Sequence, residues 1–256
     1  MKQIVTLIFA SIMLLACGNT KYRITGTIEN AHEGDSVVLG YSNNGQDFIT
    51  TNKSVIKDGQ FLFEGNQDGC KIFYIGYEGE NMPIYALFFL EAGDIKADIS
   101  TTGSHITGSP MNDLNIALED SLGNYVMQMM SYQDTLYSDT TLTDEKKAEL
   151  SNKSFIVQRE AMTFIQNTIR ENINNMVGLF LLVQYCDLFD NAELAELITS
   201  IPDENKDRSN NALYDILLEI QEERTSSDSI EDIINAIEED GEDFEMQEDD
   251  DSEIVE

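Results

Sequence analysis

The chain has 256 residues, enough for one large domain or two small ones, and its 48 acidic residues against 15 basic ones set a formal net charge of -33. A field of that sign repels nucleic acid and anionic lipid head groups, which excludes direct nucleic-acid binding and any polybasic membrane contact. With no tryptophan, three cysteines and two histidines, the supply of reactive side chains is small.

The chain opens with Met1, Lys2 and Gln3, and then an apolar run over residues 4–16 broken only by Thr6 and Ser11. A membrane-spanning helix needs about 20 apolar residues, so this run reads as the charged start and apolar centre of a signal peptide. Leu14, Leu15, Ala16 and Cys17 resemble the lipobox of bacterial lipoproteins. That resemblance implies a signal peptide over residues 1–16, cleavage before Cys17, and a thioether-linked diacylglycerol on Cys17. The expected membrane partner is therefore reached through lipid on Cys17, with residues 17–21 as a short tether. Gly18 to Lys21 lack the acidic run that resembles a surface-export signal in such bacteria, which favours the outer membrane, facing the periplasm.

From residue 22 to 108 the apolar residues come in short bursts between Gly, Asn and Asp, without a sustained helical period. Strands are predicted over residues 22–29, 36–41, 48–56, 60–64, 71–77, 84–90 and 94–99. Asp58-Gly59 has the chemistry of a type I′ hairpin turn, which needs positive φ at both central residues, and Gly93-Asp94 plays a similar part after Leu90. Seven strands at this spacing predict an antiparallel sandwich or open barrel with one face buried and one wet.

Ser109-Pro110 opens a helical region, with proline suited to a first turn. Leu114, Leu118, Leu122, Tyr125, Met129, Tyr132 and Leu136 recur every three or four residues, a continuous stripe along one helix. A second helix starts near Thr143 and Glu145 and continues through Val157, Ala161, Phe164, Ile165 and Ile169. The third, residues 175–189, is apolar nearly all round and should lie buried between the others. Shorter helices follow over 191–200 and 210–224, separated by Pro202. Beyond Arg224 the pattern reads as a serine-rich hinge, a short amphipathic helix over 230–237, and a carboxylate-rich end. Residues 226–256 hold 15 acidic residues and no Lys or Arg, too little apolar surface to offset ordering entropy, and are expected to form a disordered acidic tail.

Few residues offer chemistry. His32 falls in a turn and His105 starts a short strand, and neither has a Ser or Cys nucleophile signature nearby, so both read as ordinary surface histidines. Cys70 and Cys186 fall in different subdomains; nothing indicates a disulfide between them, and two separate buried thiols acting as small hydrophobes is the preferred reading. Met127, Met129 and Met130 are soft enough for Cu(I), but core filling accounts for them more simply. Asp249, Asp250 and Asp251 could bind Ca²⁺ loosely, as a buffer, but lack an EF-hand frame, so such binding is expected to be weak and nonspecific. No phosphate loop, dinucleotide fingerprint or zinc spacing can be assembled, and no metal, cofactor or catalytic residue is expected.

Asp58-Gly59-Gln60-Phe61-Leu62-Phe63-Glu64-Gly65 resembles the hairpin of an N-terminal domain of unknown function found in envelope lipoproteins of Gram-negative anaerobes. Residues 22–30 with Gly34-Asp35-Ser36-Val37 resemble its opening hairpin. Phe89 to Asp94 and Ile106 to Ser109 resemble its last strands, and Asn175 with Gly178 to Leu181 resembles the helical stretch that follows. In many such relatives a thioredoxin-like domain of the thiol-disulfide oxidoreductase or peroxiredoxin type comes next. It would need roughly 100 further residues and an activated cysteine or Cys-x-x-Cys, whereas the acidic tail follows here. Asp134-Thr135-Leu136, Asp139-Thr140-Thr141 and Asp228-Ser229-Ile230 also resemble the short acceptor motif of a general O-glycosylation system in such bacteria.

The expected protein is thus an α+β, lipid-anchored envelope module: a β-sandwich over 22–108, a helical region over 109–225, and an acidic tail. Its expected role is non-enzymatic binding or scaffolding of an envelope protein or small ligand, through the exposed face of the sandwich or the sandwich-to-bundle groove. The alternative is an accessory to thiol-disulfide chemistry beside a separate thioredoxin-like partner.

Overall fold

The computed structural model describes residues 20–42, 48–79, 83–206 and 212–241, with side chains to Ser226 in the last stretch. The expected signal peptide, Cys17 and the acidic residues 242–256, Asp249 to Asp251 included, lie outside the described residues. Those that are described form an α+β fold in which eight strands precede five α-helices.

The strands are β1 (Lys21–Ile28), β2 (Ser36–Ser42), β3 (Phe48–Val55), β4 (Phe61–Asn66), β5 (Lys71–Glu78), β6 (Pro83–Leu90), β7 (Gly93–Ser100) and β8 (Gly103–Thr107). They make two four-stranded sheets, ordered β4-β1-β7-β8 and β3-β2-β5-β6. Alternation supplies the shared core: Ile24, Phe61, Phe63, Ile95, Ala97 and Ile99 from one sheet face Val37, Leu39, Phe73, Ile75 and Phe88 from the other.

Three details differ from the sequence reading. The sandwich is not antiparallel throughout, because β1 and β7 run parallel, from Tyr22 opposite Gly93 to Ile28 opposite Ile99. Between them the chain visits the other sheet twice and re-enters beside β1 in the same direction, a long connection of the kind parallel pairs require. An eighth strand, β8, foreseen only as a short strand starting at His105, begins at Gly103 and joins the other seven; only Ile106 in it is buried, so it carries almost no apolar pattern. Finally, the Asp58-Gly59 turn has the expected positive φ values, 51° and 75°, yet beyond the Lys57–Gln60 bridge its arms part into different sheets.

The helices are α1 (Pro110–Ser138), α2 (Asp144–Asn172), α3 (Met176–Gln184), α4 (Asn191–Ser200) and α5 (Ala212–Gly241). Their starts follow from local chemistry: Pro110 sits in the first turn of α1, the Thr143 hydroxyl accepts the Lys146 N–H, Asn175 caps α3, and Asp190 with Glu193 forms a capping box on α4. As expected, α3 is buried, with Val177, Leu179 and Leu182 fully enclosed. Its close fit needs Gly178, where a Cβ would lie 1.9 Å from the Asn172 carbonyl oxygen. α5 runs on past Arg224 to Gly241, through the expected hinge and the short helix expected over 230–237. The Thr225 and Ser226 hydroxyls donate to the Gln221 and Glu222 carbonyls inside the helix, so these residues do not have to break it.

The helices dock on the outer face of the β5–β6 pair. Phe89 points away from the sandwich core, is fully buried, and meets Phe180 of α3 edge-on at 5.7 Å. This explains why β6 reads as an unbroken apolar run: both its faces are covered. As the edge of its sheet, β6 has outward-pointing backbone groups, and the buried Asn112 side chain takes both from Phe89, accepting its N–H at 3.0 Å and donating to its carbonyl at 2.7 Å. Asn112 also donates to the Ser109 hydroxyl at 2.7 Å, and the Glu91 carboxylate accepts the Met111 N–H at 2.7 Å. The expected sandwich-to-bundle groove is therefore a filled, hydrogen-bonded seam. Among the described residues no helix is long and apolar enough to cross a membrane.

Candidate functional site

α1 and α2 have 29 residues each, about 43 Å of helix apiece. Met111, Leu114 and Leu118 of α1 and Ile165 and Ile169 of α2 join the helical core, whereas none of residues 119–164 does. Over that length the two helices form an antiparallel hairpin that packs chiefly on itself. The stripe foreseen in the sequence, through Leu122, Tyr125, Met129, Tyr132 and Leu136, lines the seam with Leu150, Val157 and Phe164 opposite; the Tyr125 and Phe164 rings stand 5.8 Å apart.

Away from that seam the hairpin leaves large apolar side chains in solvent: Val126, Met127, Met130 and Tyr137 on α1, and Phe155, Ile156 and Met162 on α2. At 100° per residue, Val126, Met130 and Tyr137 fall on one bearing roughly a quarter-turn from the α1 seam. Phe155 and Met162 fall a third of a turn from the α2 seam. Because the helices are antiparallel, both bearings open onto the same flank. Phe155 and Met162 continue the row that buries Ile165 and Ile169 lower down. The opposite flank holds an open hollow of about 550 Å³ lined by Tyr125, Ile156, Arg159 and Phe164 among others. Single exposed apolar residues are ordinary, but a contiguous set on one face marks an interaction surface.

Charge divides the hairpin too. α1 carries Asp113, Glu119, Asp120 and Asp134 and no basic residue, whereas α2 carries Lys146, Lys147, Lys153, Arg159 and Arg170 among its carboxylates.

The residues singled out from the sequence scatter. His32 and His105 lie on different parts of the sandwich. The turn around His32 is built on Asp35, whose carboxylate accepts the His32 N–H at 2.8 Å and the Tyr77 hydroxyl at 2.7 Å; these bonds hold it below the usual carboxylate range. His105 pairs across the strands with Asp98 on an exposed hollow of the sandwich. Cys70 and Cys186 are both free and both packed against the helical core. Burial, helped by the Glu91 carboxylate, pushes the Cys70 thiol far above the usual thiol range, opposite to what a reactive thiolate needs. Met127 and Met130 do not fill the core, as the sequence reading had them, but are 70% and 60% exposed; only Met129 turns inward. Thr135 bonds back to the Ser131 carbonyl within α1, and Asp139 holds Thr141 in the following turn. Among the described residues no group of three or more His, Cys, Asp or Glu is placed to hold a metal.

With the geometry in place, comparison with known families adds one finding. A DUF4369 domain, described as a domain of unknown function, spans residues 22–115. The matched segment takes in the whole sandwich and the first turn and a half of α1, so it includes Ser109 and Asn112, the residues that fasten the helices to β6. No curated protein matches the chain.

Proposed function

We propose that the chain is a lipid-anchored envelope protein that works as a binding or scaffolding module, presenting the flank of the α1–α2 hairpin to a protein partner. The observation that carries this reading is the set of exposed apolar residues Val126, Met130, Tyr137, Phe155 and Met162 on one side of a hairpin whose base is fixed to the sandwich. Lipid on Cys17 would hold the module at the membrane, and the Asn112 seam would keep the hairpin at a set angle to the DUF4369 domain. The alternative, an accessory to thiol-disulfide chemistry, has less support in the geometry, because Cys70 is half-buried against the helical core with its thiol pushed up in pKa. Replacing Met130 by a photo-crosslinking amino acid in cells that make the lipidated chain tests the binding role. Protein adducts are expected at Met130 and not at Thr51 on the exposed face of β3; equal or absent adducts at the two positions would contradict it.

A further inference from the structure

We infer that the hollow where the edges of β3 and β4 meet is a binding site for a small, multiply charged oxyanion, a polycarboxylate or a phosphate-bearing molecule. The site lies on the sandwich and does not depend on the reading of the hairpin flank.

β3 is the edge of one sheet and β4 of the other, and the Leu62 N–H donates to the Ser54 hydroxyl at 3.3 Å from one edge to the other. The turn that joins the two strands is pinned, with the Lys57 N–H donating to the Gln60 carbonyl at 2.8 Å and the Gln60 N–H to the Lys57 carbonyl at 2.9 Å. Over this corner opens a hollow of about 680 Å³, inside the range of about 300–1,000 Å³ usual for small-ligand sites.

Charge sets the hollow apart from the rest of the molecule. In a chain with 48 acidic and 15 basic residues, Arg23, Lys53 and Lys57 line it, and no Asp or Glu among the described residues does. Neither lysine has a carboxylate within ion-pair distance among the described residues. Arg23 is paired with Glu64 at 3.7 Å, but both side chains are more than half exposed, so the pair is worth little in water and leaves the guanidinium open to a ligand. Thr25, Ser36 and Gln60 add side-chain donors that have no partner among the described residues. Cations beside hydroxyl and amide donors replace the hydration that a carboxylate or phosphate gives up on binding. Val55 and Leu62, 44% and 42% exposed, supply an apolar wall for the body of the ligand.

The net charge then limits the size of the ligand. At physiological ionic strength a charge is screened beyond about 8 Å, so a small anion seated in the hollow meets the three cations and is shielded from carboxylates elsewhere on the chain. An acidic protein would carry its charge far past that distance and meet those carboxylates.

Isothermal titration calorimetry on the full chain purified in a neutral detergent, at about 20 mM salt where screening is weak, tests this. Citrate and pyrophosphate are titrated in turn, and at least one is expected to bind with a Kd below about 1 mM. Binding of citrate alone marks a carboxylate ligand, of pyrophosphate alone a phosphate-bearing one, and of both a general oxyanion site. Lys53→Gln combined with Lys57→Gln should weaken binding by about 10-fold or more. Ser36→Glu, which adds a carboxylate at an exposed position of the lining, should weaken it as much with circular dichroism unchanged. Lys147→Gln, on α2 of the hairpin, should change it by less than about 2-fold. No binding of either anion, binding that survives both sets of changes in the hollow, or equal loss with Lys147→Gln overturns the inference.

Discussion

Removing the Asn112 side chain should loosen the joint between sandwich and helices more than any other single truncation of a polar residue. Asn112 is 2% exposed and Phe89 is fully buried, so bulk solvent does not reach the groups that lose their partner. In Asn112→Ala the Phe89 N–H and carbonyl are both left unpaired at the edge of β6, at a cost of about 1–3 kcal/mol each and so roughly 2–6 kcal/mol together. That is a large share of the 5–15 kcal/mol typical of domains. Asn112→Asp is the sharper variant. Its carboxylate still accepts the Phe89 N–H but sets an oxygen against the Phe89 carbonyl, where the amide donates at 2.7 Å. Protonation restores a donor, so this variant should gain stability relative to Asn112→Ala as pH falls through its raised carboxyl pKa. Urea unfolding followed by far-ultraviolet circular dichroism measures both effects. An Asn112→Ala midpoint within about 0.5 kcal/mol of wild type, or an Asp variant whose deficit against Ala does not change with pH, would refute the reasoning.

Other expectations follow from the same packing. Gly178→Ala should fail to give a stable fold, since its Cβ would overlap the Asn172 carbonyl at 1.9 Å, and a soluble, fully helical variant would show that α2 and α3 can separate at no cost. Cys70 and Cys186 are both half-buried, but the Cys70 thiol is held far above the usual range, so in native protein near pH 8 a thiol reagent should label Cys70 more slowly than Cys186; labelling of Cys70 at the faster rate would contradict its raised pKa. The Asp35 carboxyl is held below its unfolded value, so its contribution is complete above that value and is lost as pH falls through the lower folded one. Asp35→Asn should therefore be less stable than wild type at pH 7, and the two should converge in acid; a constant gap in melting temperature down to pH 2 would count against the His32 and Tyr77 hydrogen bonds as the cause.

Features set by neighbours in sequence were legible from it. Asp58-Gly59 announced its positive φ values, Thr143 and Ser109-Pro110 their helix starts, and the 3–4 spacing from Leu114 to Leu136 the seam of the hairpin. What depended on distant partners was not. The parallel pairing of β1 with β7 leaves no local mark, and β8 has too few buried residues to show a period. Asn112 looked like an ordinary polar residue in the first turn of a helix, because its role depends on an edge strand more than 20 residues earlier. The exposed apolar flank was hidden for a related reason. Met127 and Met130 read as core filling beside an apolar stripe, and only the projection of residues 119–164 beyond the helical core shows that nothing covers them. A signal was present all the same: α1 carries more apolar residues than one seam between two helices can bury. The lipid on Cys17 rests on the sequence resemblance alone.

Methionine footprinting tests the claim that the hairpin flank is a contact surface most directly, because the hairpin carries its own internal control. Met130 and Met162 lie on the flank and Met127 points away from it, all three exposed to solvent in the single chain. Mild peroxide should oxidise all three in dilute purified protein. In native membranes the account predicts that Met130 and Met162 are protected while Met127 still reacts. Oxidation of Met130 and Met162 in membranes at the rates seen in the isolated chain would contradict it.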